Sequence, residues 1–479
     1  MSATAEAPIS PGIDRVSGTK IAYDMLLHGL RTDGPLVSGA GDADIARFTI
    51  SGRKMFLLKH PDLVDHVMFE ASDRYHKSIE YELLRAALGL SLFTDEDESW
   101  RRHRMLVNPV LAKRHLESLY DLMVEPVQAC IARVDTGADR IELEMSELMT
   151  ELTLDIVGSA LFGRGMADLA RRIGSRVTVG LRSAERATRL IMLFNPPAIV
   201  ARGLATGVRR IPLLPPPVSY LHNVLKTIDD TVWNVINERR RNPGGRDDDL
   251  LGLLLSVRDE DGKPLPLRRV RDEACTFMLA GHETTANALA WMWYLLALNQ
   301  DARERMLEEI DEVLEGRAPT FEDAERLPWT TACFLEAMRM FPPAWIIPRV
   351  CVHEDRVGGH RIPKGASVLI PIHVLHHDER FWPEPETYDP TRFLPEHART
   401  HHRASYLPFG AGKRVCAGKS FAVIEGTIVT AMLSQRFTFE LIPGFPVVPE
   451  ATLTLRPRYG LKMIAKRRVV TPQSERIAA

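Results

Sequence analysis

The order of apolar and polar positions divides the chain into long helical stretches and a few short strand-like runs. Phe48 to Leu58 is rich in β-prone residues and stops at His60-Pro61, after which Leu63, Val64, Val67 and Met68 take a helical period. An acidic run, Asp95 to Glu98, precedes Trp100-Arg101-Arg102-His103-Arg104, the pattern of a helix start followed by its body. Trp100 and Arg104 are four apart and share one face, and Pro109 predicts the end of this helix. From Leu116 to Leu161 the period is helical almost throughout. The longest pattern, Pro266 to Asn299, is interrupted mid-way by Ala280-Gly281-His282-Glu283-Thr284-Thr285. Threonine hydroxyls that bond back to the preceding turn predict a local bend there.

Leu327 to Phe341 predicts a helix with scarcely any solvent face around Glu336 and Arg339. A surface ion pair at this i,i+3 spacing is worth little, whereas a buried one requires further partners. Ala344-Trp345-Ile346-Ile347-Pro348-Arg349 leaves that helix, and strand-like segments follow at Arg361 to Gly365 and Val368 to Ile372. Phe421, Ile424, Ile428 and Met432 set a last helical period, directly after Phe409-Gly410-Ala411-Gly412-Lys413-Arg414-Val415-Cys416-Ala417-Gly418. Residues 165–245 carry mixed patterns, broken at Asn195-Pro196-Pro197 and from Pro212 to Pro217, and Asn242 to Asp249 reads as a surface loop. Residues 1–20 and 469–479 read as flexible tails, which leaves 21–468 as one domain without repeats or an internal linker.

Charge and composition narrow the function classes. Sixty-one basic against sixty-three acidic residues give a net charge of −2, so nothing global points to nucleic acid. The five cysteines are scattered without paired spacing, which excludes a disulfide framework or zinc ribbon and suits a reducing, cytoplasmic compartment. The first residues lack the basic and apolar regions of a signal peptide. The longest apolar run, Ala288 to Leu298, falls short of the roughly 20 residues that span a bilayer, so a soluble protein without a membrane anchor is expected. His282-Glu283 begins the His-Glu-x-x-His zinc motif, but position 286 is alanine and the second ligand is missing. His373, His376, His377, His401 and His402 have no ligand spacing, and turn or surface roles are expected for them.

Cys416 is the residue with the most distinctive chemistry. A thiol in a glycine-rich loop at the start of a helix meets free N–H groups and the positive end of the macrodipole, which favour the thiolate. Arg414 adds positive charge two residues away. Thiolate binds soft and borderline metals and is one of the proximal ligands of haem. Taken alone, these residues also suit a buried structural cysteine.

The spacing Phe409-x-x-Gly412-x-Arg414-x-Cys416-x-Gly418 resembles in full the haem-ligand loop of the haem-thiolate monooxygenases, the cytochrome P-450 superfamily, in its soluble bacterial form. Three further stretches are similar to that family's motifs. Ala280 to Thr285 resembles its oxygen-binding helix, and Glu336-x-x-Arg339 its buried ion pair. Pro390-Thr391-Arg392-Phe393 supplies the partner arginine, with threonine where the commonest form has glutamate. The resemblance is weak over residues 48–110 and strong over 250–445.

The resemblance implies a single large, mainly α domain with a smaller β-rich lobe, holding haem b between the oxygen helix and the cysteine loop. It implies Cys416 as the iron ligand, flanked by Phe409 and Gly418. Trp100, Arg104, Arg349 and Arg414 would serve the propionates, and Glu283 and Thr284 would govern proton delivery. Gly281 would open room beside the iron, Ala280, Trp345 and Ile346 would line the substrate pocket, and Glu336, Arg339 and Arg392 would form a structural triad. The implied reaction inserts one atom of O2 into a small apolar organic substrate, fatty-acid-like, terpenoid or steroid. Electrons would come from NAD(P)H through a separate ferredoxin and ferredoxin reductase, or a flavodoxin-like donor. Arg101, Arg102, Lys413 and Lys419 would form the basic patch that receives this donor on a monomeric enzyme. A haem-thiolate peroxygenase or isomerase, and a haem sensor without turnover, are the alternative readings.

Overall fold

The computed structural model describes residues 13–15, 18–28, 31–38, 41–163, 218–242, 249–397 and 401–468. Six helices position the site: α1 (Asp97–Val107), α2 (Tyr120–Val134), α3 (Met145–Phe162), α4 (Leu267–Leu298), α5 (Pro328–Met340) and α6 (Lys419–Ser434). Helix α4 is the axis of the molecule. Its C-terminal half, from Thr285 to Leu296, is buried on nearly every side, as expected of a helix that is apolar all round. Helices α3, α5 and α6 pack around it, and one apolar cluster runs through all four.

The smaller lobe is a six-stranded sheet in the order Ile13–Arg15, Ile45–Ile50, Arg53–Leu58, Ser367–Ile370, Ile347–Cys351 and Tyr75–Lys77. It has its own core, in which Ile45, Phe56 and Leu58 meet Val368, Ile370 and Ile347. The β-prone run after residue 45 forms the central hairpin of this sheet, with Phe48 opposite Met55.

Long-range pairing overrides the local reading at three places. Arg140–Glu144, inside the stretch of helical period, is a strand because it pairs antiparallel with Lys462–Arg467 from the other end of the chain. Part of the expected N-terminal tail is ordered as well: Ile13–Arg15 pairs with Ile45 to Arg47, and a helix covers Gly18–His28. His376 is fully buried rather than at a turn surface. Its Nε2 accepts from the Leu407 N–H at 2.9 Å, so its Nδ1 donates to Arg339 O at 3.0 Å. Burial holds this imidazole neutral, well below its ordinary pKa. The proline breaks between 195 and 217, the loop centred on 243–248 and the tail after 468 lie outside the described residues.

Glu336 and Arg339 are buried in α5. Arg339 Nε and Nη2 donate to the two Glu336 oxygens at 2.8 and 2.9 Å, and Nη1 donates to His376 O at 2.8 Å. Arg392 Nε stands 3.5 Å from Glu336 Oε1, which also accepts the Asp389 N–H at 3.0 Å. Every oxygen of the acid therefore faces a donor, the condition under which a buried pair is tolerable; removing one partner would cost about 3–5 kcal/mol.

Candidate active site

Two side chains, Ala280 and Cys416, are more accessible than their half-buried chain neighbours. Ala280 is exposed half-way along the buried helix α4. Cys416 is exposed by accessible area, yet the density of atoms around it makes burial the largest influence on its thiol. An accessible atom deep inside a protein lines an internal opening. Burial raises the Cys416 pKa, against the Gly418 N–H and the charges of Arg104 and Lys419. Desolvation thus outweighs the helix-start effect expected from sequence, and a bound metal would deprotonate the thiol outright.

The cysteine loop is held from both sides. The Cys416 N–H donates to Phe409 O at 2.8 Å, and Arg104 Nη2 donates to Val415 O at 2.7 Å. Gly412 has φ +62° and lies against the Met68 carbonyl, so neither its conformation nor its surroundings admit a side chain. Gly418 carries no such constraint: an added Cβ would stand 3.9 Å from Cys416 Sγ.

Beside the loop lies a cluster of inward cations. Arg414 pairs with Glu96 and stacks 4.1 Å from the Trp100 ring, whose N–H donates to Leu92 O at 3.2 Å. Among the described residues, Arg349 donates to the carbonyl of its neighbour Pro348, at 3.0 Å. Lys77, which sequence reasoning missed, sits directly opposite Arg349 in the antiparallel pair. Its Nζ donates to Leu92 O and Asp95 O at 3.1 and 3.0 Å. Burial, then the charges of Arg414 and Arg349, push its pKa down to about 7 against the pull of Glu96 and Asp95. Like charges facing each other across strands are destabilising. The strand pairing that makes this contact leaves no signal in the local sequence.

On α4 the expected relay residues diverge. Thr284 Oγ1 donates to Ala280 O at 2.6 Å, whereas Glu283 Oε1 accepts from Thr454 Oγ1 at 2.8 Å, in a hairpin near the C-terminus. Gly281 faces helix α3, where an added Cβ would come 2.9 Å from Val157 Cγ2, so its smallness serves helix packing. Trp345 is 1% exposed and packs with Ala451 and Leu455, its N–H donating to Thr452 O at 2.9 Å. It is a core residue beneath the hairpin, with the half-buried Ile346 beside it. A large aromatic next to an i,i+3 triad reads equally as pocket or core in sequence; the hairpin decides.

The expected basic patch is partly neutralised. Asp73 accepts from Arg101 at 2.9 Å and from Lys413 at 2.7 Å, and Glu98 lies 3.5 Å from Arg102.

The arrangement fits haem on two counts. The Cys416 thiol is accessible, and Lys77, Arg349 and Arg414 form a largely buried cluster of cations, offset only in part by Glu96, that two carboxylates would neutralise. The comparisons agree. A family model described as Cytochrome P-450 matches residues 43–464. Cytochrome P-450 132 of Mycobacterium tuberculosis is 43% identical over 97% of this chain and 99% of its own length. Cyclooctat-9-en-7-ol 5-monooxygenase of Streptomyces melanosporofaciens is 30% identical over 85% of each. The crystal structure of the cytochrome P-450DA heme domain superposes with a TM-score of 0.80 over 97% of both chains at 24% identity, a likeness of fold. With a family model spanning most of its length, this chain belongs to the cytochrome P-450 family of haem-thiolate monooxygenases.

Proposed function

We propose that the protein binds haem b through Cys416 and hydroxylates or epoxidises an apolar organic substrate in the opening beside Ala280. The single observation that carries this reading is the accessible Cys416 thiol, set in a loop held by Arg104 and Phe409 beside the cations Lys77, Arg349 and Arg414. Haem, held through Cys416, would supply redox-active iron able to reduce dioxygen, and a thiolate ligand would favour O–O cleavage. Overall, substrate, O2, NAD(P)H and one proton give the oxygenated product, water and NAD(P)+.

The chain's own residues do the rest. Lys77, Arg349, Arg414 and Arg104 would hold the propionates through charge-assisted hydrogen bonds, while the Trp100 N–H is engaged by Leu92 O and its ring supports Arg414. Phe409 and Gly418 shape the loop around the sulfur. Thr284 holds a proton at Oγ1, four residues from Ala280, and Glu283 replenishes it from the hairpin side, a general-acid role.

The substrate class is a fatty-acid-like, terpenoid or steroid skeleton, in keeping with the hydroxylated hydrocarbon in the name of the Streptomyces relative. A separate ferredoxin with its reductase, or a flavodoxin-like protein, brings the electrons to a monomer in the cytoplasm. Free thiols at all five cysteines suit that compartment. Among the described residues no helix is long and apolar enough to cross a membrane.

The test is spectral titration of the haem-loaded protein with fatty acids, terpenoids and steroids, followed by NADPH consumption with surrogate ferredoxin and reductase. At least one class should shift the haem spectrum and accelerate NADPH consumption with product formed. Binding without substrate-dependent consumption would make the protein a sensor or carrier.

A further inference from the structure

Two consecutive acids in the second turn of α4, Asp272 and Glu273, are buried and take backbone N–H groups from the loop that precedes α1. The Leu90 N–H donates to Asp272 Oδ2 at 2.8 Å, and the Leu92 N–H donates to Glu273 Oε1 at 2.6 Å. Glu273 Oε1 also lies 2.6 Å from His103 Nε2, on the buried face of α1. Its second oxygen, Oε2, is buried and has no hydrogen-bond partner among the described residues. One oxygen atom therefore holds both the loop and the helix that follows it.

The Leu92 peptide passes this hold onward. Leu92 O accepts from Trp100 Nε1 at 3.2 Å and from Lys77 Nζ at 3.1 Å, so both lone pairs of the carbonyl are used. Lys77 Nζ also donates to Asp95 O at 3.0 Å, and Asp95 is tied to α4, its Oδ2 accepting from Arg269 Nη1 at 2.8 Å. An ammonium has three donors. Two are spent on the loop, which leaves the third for a propionate. The Trp100 ring in turn supports Arg414 from 4.1 Å. Turning the Leu92 peptide would thus disturb the lysine and the indole together, and the N–H that fixes this peptide rests on Glu273 Oε1.

We propose that Glu273 is a positioning residue for haem: by holding the Leu92 N–H it sets the Leu92 carbonyl, and through that carbonyl the Lys77 ammonium and the Trp100 indole, at the propionate side of the site. The inference rests on the reading that Lys77 holds a propionate. Glu273 acts through the Leu92 peptide and is not itself a propionate ligand, since like charges in one site oppose each other. The helix that carries Glu283 and Thr284 at its middle thereby also fixes the polar edge of the cofactor from its second turn.

The test is the rate at which the haem-loaded protein gives up its haem to an excess of a haem-scavenging apoprotein, followed in the visible spectrum. Glu273→Ala removes the acceptor, whereas Glu273→Gln keeps it, with the amide oxygen in place of Oε1. Glu273→Ala should lose haem on the order of tenfold faster than wild type, the size of effect expected for one hydrogen bond to a charged group. Glu273→Gln should stay near wild type. A general loosening of the fold would speed haem loss whatever stands at position 77. Positioning through Lys77 would not, so the greater part of the Glu273→Ala effect should vanish when Lys77→Met is already present. If Lys77→Met keeps haem as wild type does, the propionate reading of Lys77 itself fails. If Lys77→Met speeds the loss while Glu273→Ala does not, or while Glu273→Ala adds its full effect to it, Lys77 stands and the positioning role of Glu273 is overturned. Equal losses from Glu273→Gln and Glu273→Ala would also overturn it, by assigning the effect to charge. Should Glu273→Ala not fold, Glu273→Asp, which withdraws the acceptor by one methylene, is read by the same comparison.

Discussion

At the scale of single residues, the site is defined by groups placed against their own preference. Lys77 is the clearest: an ammonium in the interior, opposite one arginine and near another. Its folded pKa of about 7 lies below the unfolded value, so between about pH 7 and about pH 10 the unfolded chain binds more protons, and stability rises with pH. Below that window the full cost of the buried charge is present. Urea unfolding of the haem-free protein should therefore show stability increasing across the window, and Lys77→Met should remove this component of the slope. Parallel pH profiles for the two proteins would contradict the assignment. Bound propionates should flatten the wild-type slope by restoring a partner to the ammonium.

At the scale of elements, the sequence motifs locate each functional helix, and the contacts between helices and strands assign the side chains. The period of α4 and its polar interruption are visible in the sequence, because a helix buried all round must be apolar and any departure stands out. Which way Glu283 and Gly281 turn is not visible, since that depends on a hairpin some 170 positions away and on Val157 in α3. Trp345 illustrates the same limit. Its packing against Ala451 and Leu455, with its N–H on Thr452 O, makes it the seat of the hairpin. Trp345→Ala should destabilise the haem-loaded protein by about 3–5 kcal/mol in urea unfolding, as truncation of a buried large aromatic does. A loss below about 1 kcal/mol would mean the indole lines open space, the range of ordinary surface substitutions.

At the scale of the whole molecule, helical periods and β-prone runs locate individual elements, whereas the large α domain beside a small β lobe is what the family resemblance implies. Arg140–Glu144, Ile13–Arg15 and His376 escaped that reading for one reason: each is fixed by a partner distant in sequence. His376 joins α5, through Arg339, to Leu407 at the entrance of the cysteine loop, so the Glu336 triad and the thiol belong to one hydrogen-bonded framework. The central claim is that the Cys416 sulfur carries the iron, and the most direct measurement is the carbon-monoxide difference spectrum of reduced wild type and Cys416→His. Wild type should show the red-shifted band of thiolate ligation, and Cys416→His, if it retains haem, should lose it. Retention of that band in Cys416→His would place the ligand elsewhere and contradict the account.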